Sequence, residues 1–249
     1  MAVAVRDIRI PRAVAGFRVS VSVGELVKVG PEGYIHGWIN VGPGDAVPVT
    51  RHGFDDKKAT DIASRISHLD KLRDDDPDET SVKRGIMKRT QYAGSAVGDQ
   101  DLLNVEHVVK RSPYVTKKPL YRGIHTSNGD SDYDERKAVI DQVKNLRPGD
   151  TITTDNSASW SSDERVAHLF SQSSELSDPT GSSDLSNVML RNITGIHALP
   201  VSWYGDPKYA YQSEYVAPSG KFTVVSNENH HDYPNLRVIT VEEVPRDNS

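Results

Sequence analysis

The stretch YAYQSEYVAPSGKFTVV, residues 209–225, places an amide and an acid, Gln212 and Glu214, one residue apart where an apolar–polar alternation begins. On a strand, residues i and i+2 point to the same face, so a strand reading sends both side chains into one space. Pro218 and Gly220 then mark a turn, and the alternation resumes through Phe222 and Val224, which reads as a hairpin. Aromatic residues crowd the approach: Trp203, Tyr204, Tyr209 and Tyr211 all precede the pair.

Outward from this hairpin, NVMLRNI before it and LRVITVEEV after it read as further strands. Upstream, LYRGIHT is a short strand, YDERKAVIDQVKNL a helix, and RPGDTITT a turn into a strand. SSDERVAHLFSQ reads as a helix capped by Ser161 or Ser162, with acids in its first turn. SSELSDPTGSSDLS is low in apolar residues and reads as a loop.

The preceding third of the chain is helical in pattern. From Asp55 to about Arg73, residues Ala59, Ile62, Ala63, Ile66, Leu69 and Leu72 recur at helical spacing until the acid run DDDPDE, read as a solvated turn. SVKRGIMKRTQYAGS and DQDLLNVEHVVKRS read as two shorter helices. Residues 1–50, rich in valine and glycine with turn signals at VGPEG and VGPGD, read as a small β-rich appendage, leaving 51–249 as the main domain. The fold class expected is therefore α+β, helices first and a mostly antiparallel sheet afterwards.

Composition narrows the chemistry. The 249 residues carry a formal net charge of −5 and are 36% hydrophobic and 26% charged, as in ordinary globular domains. The absence of cysteine excludes disulfides, thiolate metal sites and a cysteine nucleophile. Arg6, Arg9, Arg12 and Arg18 interrupt the N-terminal apolar residues, so no secretory signal or membrane span is expected, and the default compartment is the cytoplasm. His230, His231 and Asp232 are the one cluster with metal-ligand chemistry, but no third ligand spacing accompanies the adjacent histidines, so no metal is expected.

Three short pieces carry the functional signal, in this order: Tyr121-Arg122-Gly123; Ser159-Trp160-Ser161 with Ala167 and Phe170 in the helix that follows; and Gln212-Ser213-Glu214 with Pro218, Gly220, Phe222 and Val224. Their order and flanks over residues 55–245 resemble the Arg-Ser-Glu class of mono-ADP-ribosyltransferases, in the Gln-x-Glu subtype of the Rho exoenzymes and the pierisin-like enzymes. The resemblance implies a split-sheet core and NAD as co-substrate. It implies Arg122 on the NAD phosphates, which a planar, permanently charged fork suits, with Gly123 beside it. Ser159 would fix the rotamer of Glu214, and Ser161 would support the turn or the nicotinamide pocket. Glu214 would stabilise the oxocarbenium-like sugar formed as nicotinamide leaves.

Gln212 would face the acceptor, since an amide both donates and accepts but is no strong base. That moves the expected acceptor from arginine towards a guanine base or a protein asparagine or other amide, with Tyr209, Tyr211 and Trp203 as recognition rings. Tyr92, in YAGS, resembles the position flanking the adenosine. The loop after Phe170 lacks the arginine that the family often has there, and Arg191, Lys88 or Arg89 are the candidates to replace it. Trp160 stands where the family often has threonine and is expected to pack outside the pocket. Two other readings stay open: an NAD glycohydrolase with no macromolecular acceptor, and a silent nucleotide- or partner-binding module.

Overall fold

A computed structural model describes residues 7–10, 26–29, 35–42, 45–48, 53–91, 99–124, 140–154, 157–171 and 187–245. Three helices come first in the main body: α1 (Asp56–Ser67), α2 (Pro77–Gln91) and α3 (Gln100–Lys110). Asp55 caps α1, its side chain accepting from the Lys58 N–H, and Ala59, Ile62, Ala63 and Ile66 form the buried stripe. The helix ends earlier than its apolar spacing predicts. Leu69 takes a left-handed backbone with φ 59°, and Leu72 reaches the core from chain outside any helix.

The acid run DDDPDE is no simple solvated turn. Asp76 accepts the backbone N–H groups of Asp78 at 3.0 Å and Glu79 at 3.2 Å, and Pro77 opens α2, the position where a missing N–H is harmless. Lys58 and Arg73 also pair with Asp76; the Lys58 bond first, then the backbone N–H groups of Glu79 and Asp78, hold its carboxyl down at about 2 against burial. Asp99 caps α3 in the same way through Asp101 and Leu102. Helices α2 and α3 cross closely at Gly85: a Cβ there would lie 2.2 Å from the Asp101 carbonyl.

The strands are β1 (Asp7–Ile10), β2 (Leu26–Val29), β3 (Ile35–Gly42), β4 (Asp45–Pro48), β5 (Leu120–Ile124), β6 (Thr151–Thr154), β7 (Ala158–Ser161), β8 (Asn187–Asn192), β9 (Leu199–Pro200), β10 (Glu214–Ala217), β11 (Gly220–Asn229) and β12 (Leu236–Glu243). Helix α4 (Glu164–Ser171) follows β7, and residues 140–144 are also helical. Strands β2, β3 and β4 make a separate three-stranded sheet, whereas β1 runs along the edge of the large one, parallel to β6. The large sheet has the order β1-β6-β11-β12-β8-β5-β7-β10-β9, antiparallel except for the β1–β6 and β12–β8 pairs. The fold is thus α+β, as the hydrophobic pattern predicts.

The sheet opens between β5 and β7. These strands share a single register pair, Tyr121 with Ser161, while β5 pairs with β8 over five residues and β7 with β10 over four. One core fills the sheet, with Ile152, Trp160, Leu190, Phe222 and Ile239, and a second joins the helices to Leu199, Val201 and Val216. Tyr204 seals the second core, its hydroxyl donating to the Asp70 carbonyl at 2.7 Å. Burial, then the nearby Asp70, push that phenol up to about 12. Among the described residues, no helix is long and apolar enough to cross a membrane.

Candidate active site

Beyond Tyr121 and Ser161 the two strands diverge, and the side chains singled out in the sequence stand on the diverging lengths. On β7 the alternation sends Trp160 into the core against Phe222, at 5.7 Å between ring centroids, and leaves Ser157, Ser159 and Ser161 on the opposite face. Trp160 therefore packs away from the serines, on the core side of the sheet.

Glu214 opens β10 and is 7% exposed. Ser159 donates its hydroxyl to Glu214 Oε1 at 2.5 Å, which fixes the carboxylate. The backbone of Glu214 is held as firmly: its N–H donates to Ser202 Oγ, and its carbonyl accepts the N–H of Val201 at 3.0 Å. Ser161 turns elsewhere, donating to the Gln212 carbonyl at 2.7 Å and accepting the Asp163 N–H at 2.9 Å. The helix cap is Asp163, not Ser161 or Ser162. Its carboxylate accepts the Arg165 N–H at 3.0 Å, and Ser162 donates its N–H to the Ser213 carbonyl at 3.2 Å.

Arg89 arrives from α2 and is nearly buried. It donates to Ser157 Oγ at 3.3 Å and Ser159 Oγ at 3.4 Å, and its Nε lies 3.8 Å from Glu214 Oε1. Glu106, from α3, accepts from Arg89 Nη1 at 3.1 Å and from the Ser157 hydroxyl. Of the three cations that sequence offers in place of the absent arginine, Arg89 is the one that meets Ser159 and Glu214. Lys88 pairs with Asp99 and Asp101, and Arg191 with Thr240 and Glu228.

Among the described residues, Arg122 is a buried charge without a counter-ion. It is 5% exposed, its Nη1 is buried without a hydrogen-bond partner among the described residues, and no carboxylate there pairs with it. Burial, then the like charge of Arg89, bring its guanidinium down to about 10. A buried fork with an open donor beside a second arginine fits a dianionic group such as a pyrophosphate. Gly123 has a packing role: a Cβ there would stand 2.1 Å from the Ala167 carbonyl and 2.4 Å from the Ser171 nitrogen, so its lack of a side chain lets β5 lie on the backbone of α4.

The same-face expectation for Gln212 and Glu214 does not hold. Residues Pro207–Gln212 form a 3₁₀ helix capped by Asp206, Ser213 is left-handed with φ 47°, and the strand starts only at Glu214. Gln212 is half-buried, and its amide makes no hydrogen bond to the described residues. Tyr209 lies beside it under Lys208, 5.4 Å from the ammonium to the ring, while Tyr211 is 61% and Trp203 74% exposed. Thr90, next to Arg89, ties this turn to α2 by accepting the Asp206 N–H at 3.1 Å. Tyr92 and the loop 172–186 lie outside the described residues.

The histidine cluster offers ligand atoms within 4.8 Å of one another, but its hydrogen bonds are those of a structural corner. His230 Nδ1 accepts the N–H groups of Asp232 at 3.0 Å and Tyr233 at 3.2 Å, so its ring proton sits on Nε2, which faces Glu164 at 3.4 Å. Both nitrogens of the His230 imidazole are thus engaged within the protein.

No protein-family model and no curated protein matches the sequence. Solved structures do align with it at a distance. C3stau2 from S. aureus, solved with NAD, aligns at 12% identity over 79% of this chain and 99% of its own, with a TM-score of 0.46. The Clostridium limosum C3 exoenzyme aligns at 13% identity over 78% and 97%, with a TM-score of 0.44. Vis toxin, an ADP-ribosyltransferase from Vibrio splendidus, aligns at 15% identity over 79% and 89%, with a TM-score of 0.43.

Proposed function

We propose that this chain is an NAD-dependent mono-ADP-ribosyltransferase whose catalytic domain spans residues 51–249, with residues 1–50 as an appendage that lends β1 to the edge of its sheet. The observation that carries this reading is the buried Glu214 carboxylate fixed by Ser159 at 2.5 Å, with the nearly buried Arg89 beside it and the buried Arg122 within electrostatic reach of Arg89. A carboxylate so placed stabilises positive charge on a sugar, and a buried guanidinium with an open donor, as at Arg122, holds a pyrophosphate; NAD presents both groups.

In this reading Arg122 takes the phosphates, while Arg89 stays on Glu106, Ser157 and Ser159 beside Glu214. The bond from C1′ of the ribose to nicotinamide breaks, and its electron pair leaves on neutral nicotinamide, so no general acid is required. Glu214 faces the cationic sugar while a lone pair of the acceptor forms the new bond to C1′ and the acceptor's proton is lost to solvent. Gln212, with an amide that can donate and accept at once, orients the acceptor, for which a guanine base or a protein asparagine or other amide has the matching chemistry. Tyr209, Tyr211 and Trp203 provide the rings around it.

Nicotinamide release from NAD, followed by transfer of label to macromolecules of a cell lysate, tests the proposal. Glu214→Gln should abolish both while leaving NAD binding largely intact; transfer at close to the wild-type rate in that variant refutes the assignment. Gln212→Ala should spare nicotinamide release and lose transfer. Label removed by nuclease or by protease identifies the acceptor class.

A further inference from the structure

We propose that Glu106 is the positioning residue that sets Arg89 and, through Arg89 and Ser157, the Ser159–Glu214 pair. The inference rests on the transferase reading and adds to it a residue outside all three motifs. A single oxygen, Glu106 Oε1, accepts from both Arg89 Nη1 at 3.1 Å and the Ser157 hydroxyl. Ser157 is buried and stands two residues before Ser159 on the same face of β7, so the glutamate reaches the strand and the arginine at once.

The backbone makes this geometry stiff. Glu106 and Arg89 sit on α3 and α2, which touch so closely at Gly85 that a Cβ would meet the Asp101 carbonyl at 2.2 Å. Helices in such contact leave little freedom for the separation of the two side chains.

The consequence is a division of one guanidinium between two carboxylates. Arg89 Nε lies 3.8 Å from Glu214 Oε1, beyond hydrogen-bond reach, while its Nη1 is engaged by Glu106. With the Glu106 charge removed, Glu214 is the carboxylate left beside Arg89 among the described residues, and a planar fork favours a direct two-point grip on a carboxylate. That grip would occupy the oxygens intended for the sugar. Glu106 thus keeps Arg89 near Glu214 without letting the two close on each other, and its removal should lower the rate of the chemical step more than the affinity for NAD.

Steady-state nicotinamide release by the full chain, for wild type, Glu106→Gln, Arg89→Met and the double variant, tests this. Rates are taken per mole of folded protein from thermal unfolding, so a loss of folded chain does not imitate the effect. Glu106→Gln should lower kcat about ten-fold with KM for NAD changed less than about two-fold. The double variant should be no slower than Arg89→Met alone, because a residue acting through Arg89 has nothing left to act on. An Glu106→Gln enzyme with wild-type kcat, or fold-losses that multiply in the double variant, overturns the role of Glu106 while the transferase reading stands. Wild-type protein that releases no nicotinamide overturns the transferase reading and this inference with it.

Discussion

Replacing Arg122 by methionine should make the empty protein more stable and useless for its ligand. At ~1.4 kcal/mol per pH unit, the depression of this guanidinium to about 10 corresponds to about 3 kcal/mol of destabilisation of its charged form. The sign follows from the direction. The unfolded chain holds the proton to higher pH than the folded chain does, so stability rises with pH from about 10 towards the ordinary arginine value, and at pH 7 the full penalty is in force. Methionine keeps an unbranched stem of similar bulk and removes both the charge and the orphaned Nη1. For a chain of this size, about 3 kcal/mol translates to a rise in Tm of roughly 6–12 °C.

ADP-ribose supplies the contrasting arm. A ligand at a hundred-fold excess over Kd adds about 2.7 kcal/mol, which should raise the wild-type Tm by roughly 5–11 °C and leave Arg122→Met unmoved. Thermal unfolding of both proteins with and without ADP-ribose at pH 7 reads all four values. An empty variant that melts below wild type refutes the claim that Arg122 is an uncompensated charge. Equal shifts with ADP-ribose refute its place on the phosphates.

Two further perturbations separate packing from chemistry. Gly123→Ala drives a methyl group into the α4 backbone at Ala167 and Ser171, where neither element has a side chain to move aside; a loss of about 3 kcal/mol, or roughly 6–12 °C in Tm, is expected, and a change under about 2 °C would show that β5 does not need the close approach. Thr90→Val removes the acceptor for the Asp206 N–H, at about 1 kcal/mol, and loosens the turn that carries Gln212; label transfer should fall while nicotinamide release persists, and parallel losses of both would refute the separation.

The pieces legible in the sequence are those that local pattern determines. Ser159 and Glu214 each belong to a short strand whose alternation fixes which way the side chain points, and their strands pair in register, Glu214 with Ser161 and Val216 with Ser159. Arg89, Glu106 and Ser157 were less accessible because their meeting is tertiary: Arg89 reaches Ser157 and Ser159 across separations of 68 and 70 residues, by way of the α2–α3 crossing. No periodicity encodes such a contact. The available hint lay in Ser157, Ser159 and Ser161 at i, i+2 and i+4. Three hydroxyls on one strand face, with Ala158 and Trp160 on the other, call for polar partners from a neighbouring element.

The Gln212–Glu214 pair shows how a two-residue spacing can suggest a geometry that the local backbone does not adopt. Alternation describes strands alone, and the strand starts at Glu214 because the preceding residues have a stronger local preference. In GDPKYAY, Asp206 is a cap residue, and Pro207 brings a preset φ and no N–H to the first helical position, the signature of a helical start. Ser213 then reverses the chain through a left-handed conformation, and Ser161 and Ser162 hold the reversal by their bonds to Gln212 and Ser213. The acid is thereby fixed to the sheet, while the amide rides on a separate turn fastened to α2 through Thr90. Two residues apart in sequence, they are held by different elements, so a substitution at Gln212 should leave the Glu214 carboxylate in place.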